Sequence, residues 1–432
     1  MKNRKALALI AILALVAAAC GGSDGGSDEA VVEVETTEAP ATTEAPTTTA
    51  APAPASDPLI LASLMPLSGD LASLGPGIAL GAALAVEQIN AAGGINGQPV
   101  QLIEGDSGCD GAVALTSLND VIAQGAQGVM GAACSGTSLA ILDTAIAAEV
   151  VMVSPSNTSP QFTKIDKKGF YARTAPSDLL QGDVLASLLV EDGVQTVSII
   201  SRADSYGRGL AEATAAAFEA AGGTVKTIVY HATDATEFTS EVTAVGKGAP
   251  DAIVGLLFPE TGCGVLQPAF EQGLLDTPWY MTDGVKDAGL ASLCGLGTAL
   301  DGFKGTAPGS AAGEAKDAFE AAYAGVSADG SPTFIFAPQA YDAVMLMAIS
   351  AAANGVTGPE IASGLVAASS GGEKCIGVAC IALAADGVDV DYVGASGEIE
   401  LNAVGDPTAA TYDIWTTEGD TNPVLKSVDF GS

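Results

Sequence analysis

The chain has 432 residues, of which 16 are lysine or arginine and 51 are aspartate or glutamate, giving a formal net charge of −35 at pH 7. So acidic a surface repels phosphate backbones and anionic membranes, which excludes nucleic-acid binding and electrostatic docking on a bilayer. Adaptation to salt, solubility and a preference for cationic ligands all remain compatible with it. The length exceeds one ordinary core and predicts two lobes.

Lys2, Arg4 and Lys5 precede an apolar segment, Ala6–Ala18, that is too short to span a bilayer. Ala17-Ala18-Ala19 then meets Cys20 and Gly21-Gly22. This order resembles a bacterial lipoprotein signal, which implies removal of residues 1–19, lipidation of Cys20 and an extracytoplasmic, membrane-anchored protein. Ala17 stands where that signal usually has leucine, so secretion with cleavage nearby is the alternative. Gly21–Asp57 carries eight acidic and no basic residues among Thr, Pro and Ala. Such a segment buries no core, and residues 20–57 are expected to be a disordered, self-repelling tether.

Beyond it, Pro58–Leu64 has the length and apolarity of a strand. Ile78, Ala82, Ala85, Val86 and Ile89 fall on one face of a helix predicted over Ile78–Ala91, which Ala92-Gly93-Gly94 stops. Strands over Val100–Glu104, Gly128–Ala133 and Val150–Val153 then alternate with helices over Ala112–Ile122 and Leu139–Ala147. Alternating β and α segments imply a parallel, doubly wound sheet. Past Phe170–Thr174 the pattern restarts. Strands over Thr196–Ser201, Thr224–Tyr230, Ala252–Phe258 and Trp279–Thr282 are interleaved with helices over Leu179–Glu191, Leu210–Ala221, Glu241–Lys247 and Val265–Gln272. Helices over Ala312–Tyr323, Gln339–Ala352 and Ile361–Ala367 have the proportions to cover the first sheet, and Tyr412–Trp415 closes the chain. His231 is read as a surface residue beside a polar turn.

Besides Cys20 there are six cysteines, Cys109, Cys134, Cys263, Cys294, Cys375 and Cys380. In an exported chain these read as up to three disulfides. Six cysteines allow fifteen pairings; the pairing expected is 109–134, 263–294 and 375–380. A metal site is the rival reading, disfavoured by a single histidine and the lack of a CxxC pair.

Two strand ends, at Gly128–Ala133 and Val150–Val153, run into the hydroxyl clusters Ser135-Gly136-Thr137 and Ser154–Thr158. In a parallel sheet ligands bind at such ends, where loop N–H groups and helix N-termini meet. The same residues also serve as turn formers and helix caps. Catalysis has little basis: there is no GxSxG, SxxK set, metal cluster or GxxxxGK[ST] run, and the glycines at 75, 77 and 81 do not fit GxGxxG. The chain is read as a non-enzyme without a cofactor.

The run PLSGDLASLGPGIALGAALAVEQINAAGGINGQPVQLIEGDSGCD, the cysteines at 109 and 134, SPSNTSP at 154–160, SYGRGL at 205–210 and TDG at 282–284 together resemble the periplasmic leucine/isoleucine/valine-binding proteins, the substrate-binding components of ABC transporters. The resemblance extends from about Leu59 to Trp415. It implies an α/β type I periplasmic-binding fold with two Rossmann-like lobes joined by three crossings, lobe one being 58–175 plus 306–410 and lobe two 176–305 plus 411–432. It further implies a monomer that hands a small amino-acid-like ligand, by default a branched-chain amino acid, to an ABC permease. Ser135 and Gly136 would then hold the ligand carboxylate, Ser156, Thr158 and Asp283 its ammonium, and Tyr206 would line the cleft. Leu74 and Phe258 stand in the side-chain pocket, where members often have aromatic residues, and Asp283 is one methylene shorter than the common glutamate. Amides and urea, or a sensing lipoprotein without transport, are the alternatives.

Overall fold

The computed structural model describes residues 57–430. The signal segment, Cys20 and nearly all of the tether lie outside the described residues. The first lobe is built from β1 (Ile60–Met65), α1 (Gly75–Ala91), β2 (Gln101–Asp106), α2 (Gly111–Ala123), β3 (Gly128–Gly131), α3 (Ser135–Ala147), β4 (Val151–Ser154), α4 (Gln161–Lys164) and β5 (Tyr171–Arg173). Its strands pair in parallel in the order β2-β1-β3-β4-β5. β3 and β4 are buried throughout, as strands covered on both faces must be. After α1 the Gly94 N–H returns to Ile89 O at 2.9 Å, with Gly93 at φ +111° and Gly94 at +74°. That left-handed turn suits glycine and little else.

A second lobe follows with α5 (Asp178–Glu191), β6 (Thr196–Arg202), α6 (Ser205–Ala220), β7 (Thr224–His231), α7 (Thr239–Val245), β8 (Ala252–Leu256), α8 (Pro259–Glu271), β9 (Trp279–Met281), α9 (Leu290–Leu293) and β10 (Lys304–Pro308). The chain then passes through α10 (Glu314–Val326), α11 (Ala337–Asn354), α12 (Gly358–Ala368), β11 (Glu373–Ile376), α13 (Ala379–Ala385), β12 (Val390–Gly394) and β13 (Gly397–Glu398), and ends on β14 (Ala410–Thr416) and β15 (Val424–Phe430). The second sheet runs β15-β14-β10-β9-β8-β6-β7, parallel from β10 to β7, with β14 and β15 antiparallel at its edge. α11 packs on α1, β3 and β4 and returns the chain to the first sheet.

Several expectations need correcting. The boundary expected before residue 306 falls inside β10, which belongs to the second sheet, so that crossing comes after Pro308. KGTAP, with one glycine and one proline, has no strand pattern to read. Strands β11, β12 and β13 form a small third sheet between the helix expected at Ile361–Ala367 and the strand at Tyr412–Trp415, where no element is expected. His231 is 1% exposed, with its ring edge-on to Phe238 at 5.0 Å. Helices α3, α6 and α8 each begin four to six residues before their expected starts, directly at the strand ends. Disulfides join Cys109 to Cys134, Cys263 to Cys294 and Cys375 to Cys380.

Candidate functional site

The C-terminal ends of the two parallel sheets face each other across a cleft. On the first lobe, α3 starts at Ser135 behind Cys134, which makes no side-chain cap. Its leading N–H groups, including those of Ser135 and Gly136, therefore have no partner within the helix, and the helix dipole adds positive potential there. The adjoining 154–160 loop is braced from below. Asn157 Nδ2 donates to Ala132 O and Ala133 O at 3.0 and 2.8 Å, and Ser154 Oγ to Ala132 O at 2.8 Å. Arg173 Nη1 donates to Asn157 O and Ser159 O, both at 3.0 Å, while its Nε meets Asp406 Oδ1 at 2.9 Å. These bonds fix the loop that carries Ser156 and Thr158.

On the second lobe Asp283 follows β9 and is 4% exposed. It accepts hydrogen bonds from Gln181 Nε2 and the Tyr206 hydroxyl, each at 2.9 Å, and Tyr206 also meets Thr282 Oγ1 at 2.8 Å. Burial pushes the Asp283 carboxyl up to about 6, against the lowering effect of those hydrogen bonds. The Tyr206 ring stacks on Phe258 with centroids 5.4 Å apart.

A cavity of about 30 Å³ remains between the jaws, lined by Leu74, Ser135, Ser156, Tyr206, Phe258 and Asp283 from the sequence expectations, and by Leu71, Ile78, Ala133, Cys134, Gly284 and Phe336 besides. Two expected residues do not line it. Gly136 is exposed and faces Ser205 of the opposite lobe, where a Cβ would lie 3.9 Å from that hydroxyl. Thr158 is fully buried behind the wall, its hydroxyl without a partner.

Sequence reasoning missed Asp178 and Gln181. Asp178 opens α5 at the first crossing, is fully buried, and neither carboxylate oxygen has a hydrogen-bond partner. Its backbone N–H donates to Thr158 O at 2.8 Å, which sets it behind the 154–160 loop. Burial and then the charge of Asp283 push its carboxyl well above the ordinary range. A cation in the cavity beside Asp283 would offset part of that repulsion. A larger hollow of about 350 Å³ beside the second and third crossings, among Gly313, Val393, Thr411 and Phe430, has no fully buried carboxylate in its lining: Glu314 and Asp429 are exposed and Glu398 is half-buried. Among the described residues, no group of His, Cys, Asp and Glu side chains could hold a metal ion, and no helix is long and apolar enough to cross a membrane.

The profile of the periplasmic binding protein family matches residues 58–374. The chain belongs to the periplasmic binding protein family. Among relatives of this periplasmic binding protein, the "Amino acid binding protein" of Pseudomonas aeruginosa is 34% identical over 238 residues, 53% of this chain and 62% of that protein. The leucine-, isoleucine-, valine-, threonine- and alanine-binding protein of the same organism is 29% identical over 304 residues, 68% of this chain and 78% of that one. The chain thus matches 62% of the first relative's length and more of the second's. Among solved structures, the branched-chain amino acid transporter substrate binding protein from Streptococcus pneumoniae in complex with isoleucine superposes with a TM-score of 0.72 at 23% identity, covering 86% of this chain and all of that one. A solute binding protein of an ABC transporter from Rhodopseudomonas palustris in complex with p-hydroxybenzoic acid gives 0.72 at 19% identity, over 87% of this chain and 98% of that one. These likenesses establish the type I periplasmic-binding fold.

Proposed function

We propose that this chain is the solute-binding component of an ABC importer and that its cleft grips the ammonium and carboxylate of a small amino acid, by default a branched-chain one. The observation that carries the reading is the buried carboxylate of Asp283 on the cavity wall, opposite the uncapped N-terminus of α3. A zwitterion complements both: its ammonium favours the ionised form of Asp283, and its carboxylate meets the free N–H groups. Ser135 would add its hydroxyl to the carboxylate, and Ser156 would accept from the ammonium. The apolar side chains of Leu71, Leu74, Ile78, Phe258 and Phe336 suit an aliphatic ligand side chain. A bare aromatic acid would leave Asp283 uncompensated.

The cavity is far smaller than the ~300 Å³ at the low end for ligand pockets, so a ligand enters by parting the lobes and is released the same way. Bridging both lobes, it favours the closed form by its differential affinity, and that form is what a permease would recognise. Lipidation of Cys20 and an acidic tether would hold the binding unit at the outer face of the cell membrane. A thermal-shift panel of amino acids, amides, urea and benzoates tests the ligand class: branched-chain amino acids should stabilise most, and stabilisation by 4-hydroxybenzoate with none by amino acids would overturn the reading.

A further inference from the structure

Around the mouth of the cleft a few polar contacts run from lobe to lobe. Ser159 Oγ donates to Ser205 O at 2.9 Å and Ile335 N to Asp287 Oδ2 at 3.0 Å. Charged partners meet at one place only among the described residues: Arg202 Nη1 at the end of β6 lies 2.5 Å from Asp70 Oδ2 on the loop after β1.

Arg202 is poised for this partner. Its side chain is 5% exposed, and its Nε sits 2.8 Å from Asp204 Oδ2 of its own lobe. Asp204 is itself fixed, since its other oxygen caps α6 by accepting from Gly207 N at 2.8 Å. The guanidinium lies 5.0 Å from the centre of the Phe258 ring, which stacks in turn on Tyr206, the donor to Asp283. Asp204 and Phe258 belong to the same lobe as Arg202, whereas Asp70 belongs to the other. The side chain of Asp70 is 32% exposed. The pair is therefore desolvated enough to matter and remains open to screening by salt.

We propose that Asp70 and Arg202 form a closure latch that slows ligand release, with Arg202 a positioning residue that ties the fastened lobes to the Phe258–Tyr206 wall of the pocket. The effect on release rests on reading the cleft as an amino-acid site; the latch itself does not. Asp70, on a loop, is the safer place to test it. In stopped-flow measurements with isoleucine, Asp70→Asn should speed release by about three- to tenfold with the association rate nearly unchanged. Asp70→Glu, which keeps the charge, should stay within about twofold of the parent. Raising salt should speed release from the parent and leave Asp70→Asn unmoved. Arg202→Gln should weaken binding at least as much, and adding Asp70→Asn to it should cost little more, the mark of a coupled pair.

Nitroxides attached at the exposed Glu87 and Glu219 read the inter-lobe distance without any ligand. Asp70→Asn should shift that distribution toward longer distances. Unchanged release in Asp70→Asn, or an unchanged distance distribution, would overturn the latch. Should no amino acid bind the parent chain, the reading of the cleft falls, and the distance distribution alone decides the latch.

Discussion

The Tyr206 hydroxyl donates to Asp283 Oδ1 at 2.9 Å while its ring stacks on Phe258, so one side chain both braces the buried carboxylate and forms the wall of the pocket. Charge and shape in the cleft are thus set together. Substitutions at either end of this contact carry distinct consequences.

Asp283 lowers the stability of the ligand-free chain. Its folded-state carboxyl, pushed to about 6 by burial, stands above the ordinary 3.8. Ionisation therefore opposes folding: the penalty is absent below about pH 4 and fully present above about pH 6. Asp283→Asn, which still accepts from Gln181 and Tyr206, should raise stability at pH 7 by on the order of 1–2 kcal/mol in thermal unfolding. The same variant should lose more than about tenfold in affinity for isoleucine. A destabilised variant would contradict this account of the site.

Ligand binding should also move protons. An ammonium favours the ionised forms of Asp178 and Asp283, both raised by burial. Calorimetry in buffers of different ionisation enthalpy should detect proton release on binding, reduced in Asp178→Asn. Below about pH 6, affinity should fall by up to about tenfold per unit as Asp283 protonates. Affinity that is flat from pH 4.5 to 7.5 would show that neither carboxylate meets the ligand.

Gly209 of α6 permits close approach of the lobes. A Cβ there would lie 2.6 Å from Pro160 Cδ on the opposite jaw, and a proline ring has little room to yield. Gly209→Val should wedge the lobes apart. Isoleucine affinity should drop at least about tenfold, while stability changes by less than about 1 kcal/mol because the clash is relieved by opening. Affinity equal to the parent's would mean that closure is not needed.

The Cys109–Cys134 bridge ties the loop before α2 to the residue preceding Ser135. Replacing both cysteines by alanine should cost about 2–4 kcal/mol in stability. It should also weaken ligand binding, because Cys134 lines the cavity. Removing Cys375–Cys380, which closes a separation of only 5 residues, should leave affinity unchanged.

Much of the fold was legible because buried parallel strands and amphipathic helices imprint their periods on the chain, as in Thr196–Arg202 and α1. The site was less so, for a physical reason. The first turns of α3, α6 and α8 read SGT, SYGRG and PETGCG, too poor in apolar residues to show helical periodicity, so the expected helices began late. Those turns are where Ser135 and Tyr206 of the cavity wall sit. Asp178 was invisible because an acidic residue after Ser177 looks like an ordinary helix start, and Ser177 does cap α5. Only the fold buries it within reach of the charge of Asp283. Thr158 and Gly136 sit in the right loops, but side-chain direction is decided by packing that a motif does not encode.

Whether the buried Asp283 carboxylate meets an ammonium is decided by titrating the chain calorimetrically with L-isoleucine and with 3-methylpentanoate, which has the same carbon skeleton and carboxylate but no amino group. Isoleucine should bind at least about a hundredfold more tightly. Equal affinities, or tighter binding of the deaminated acid, would contradict that contact.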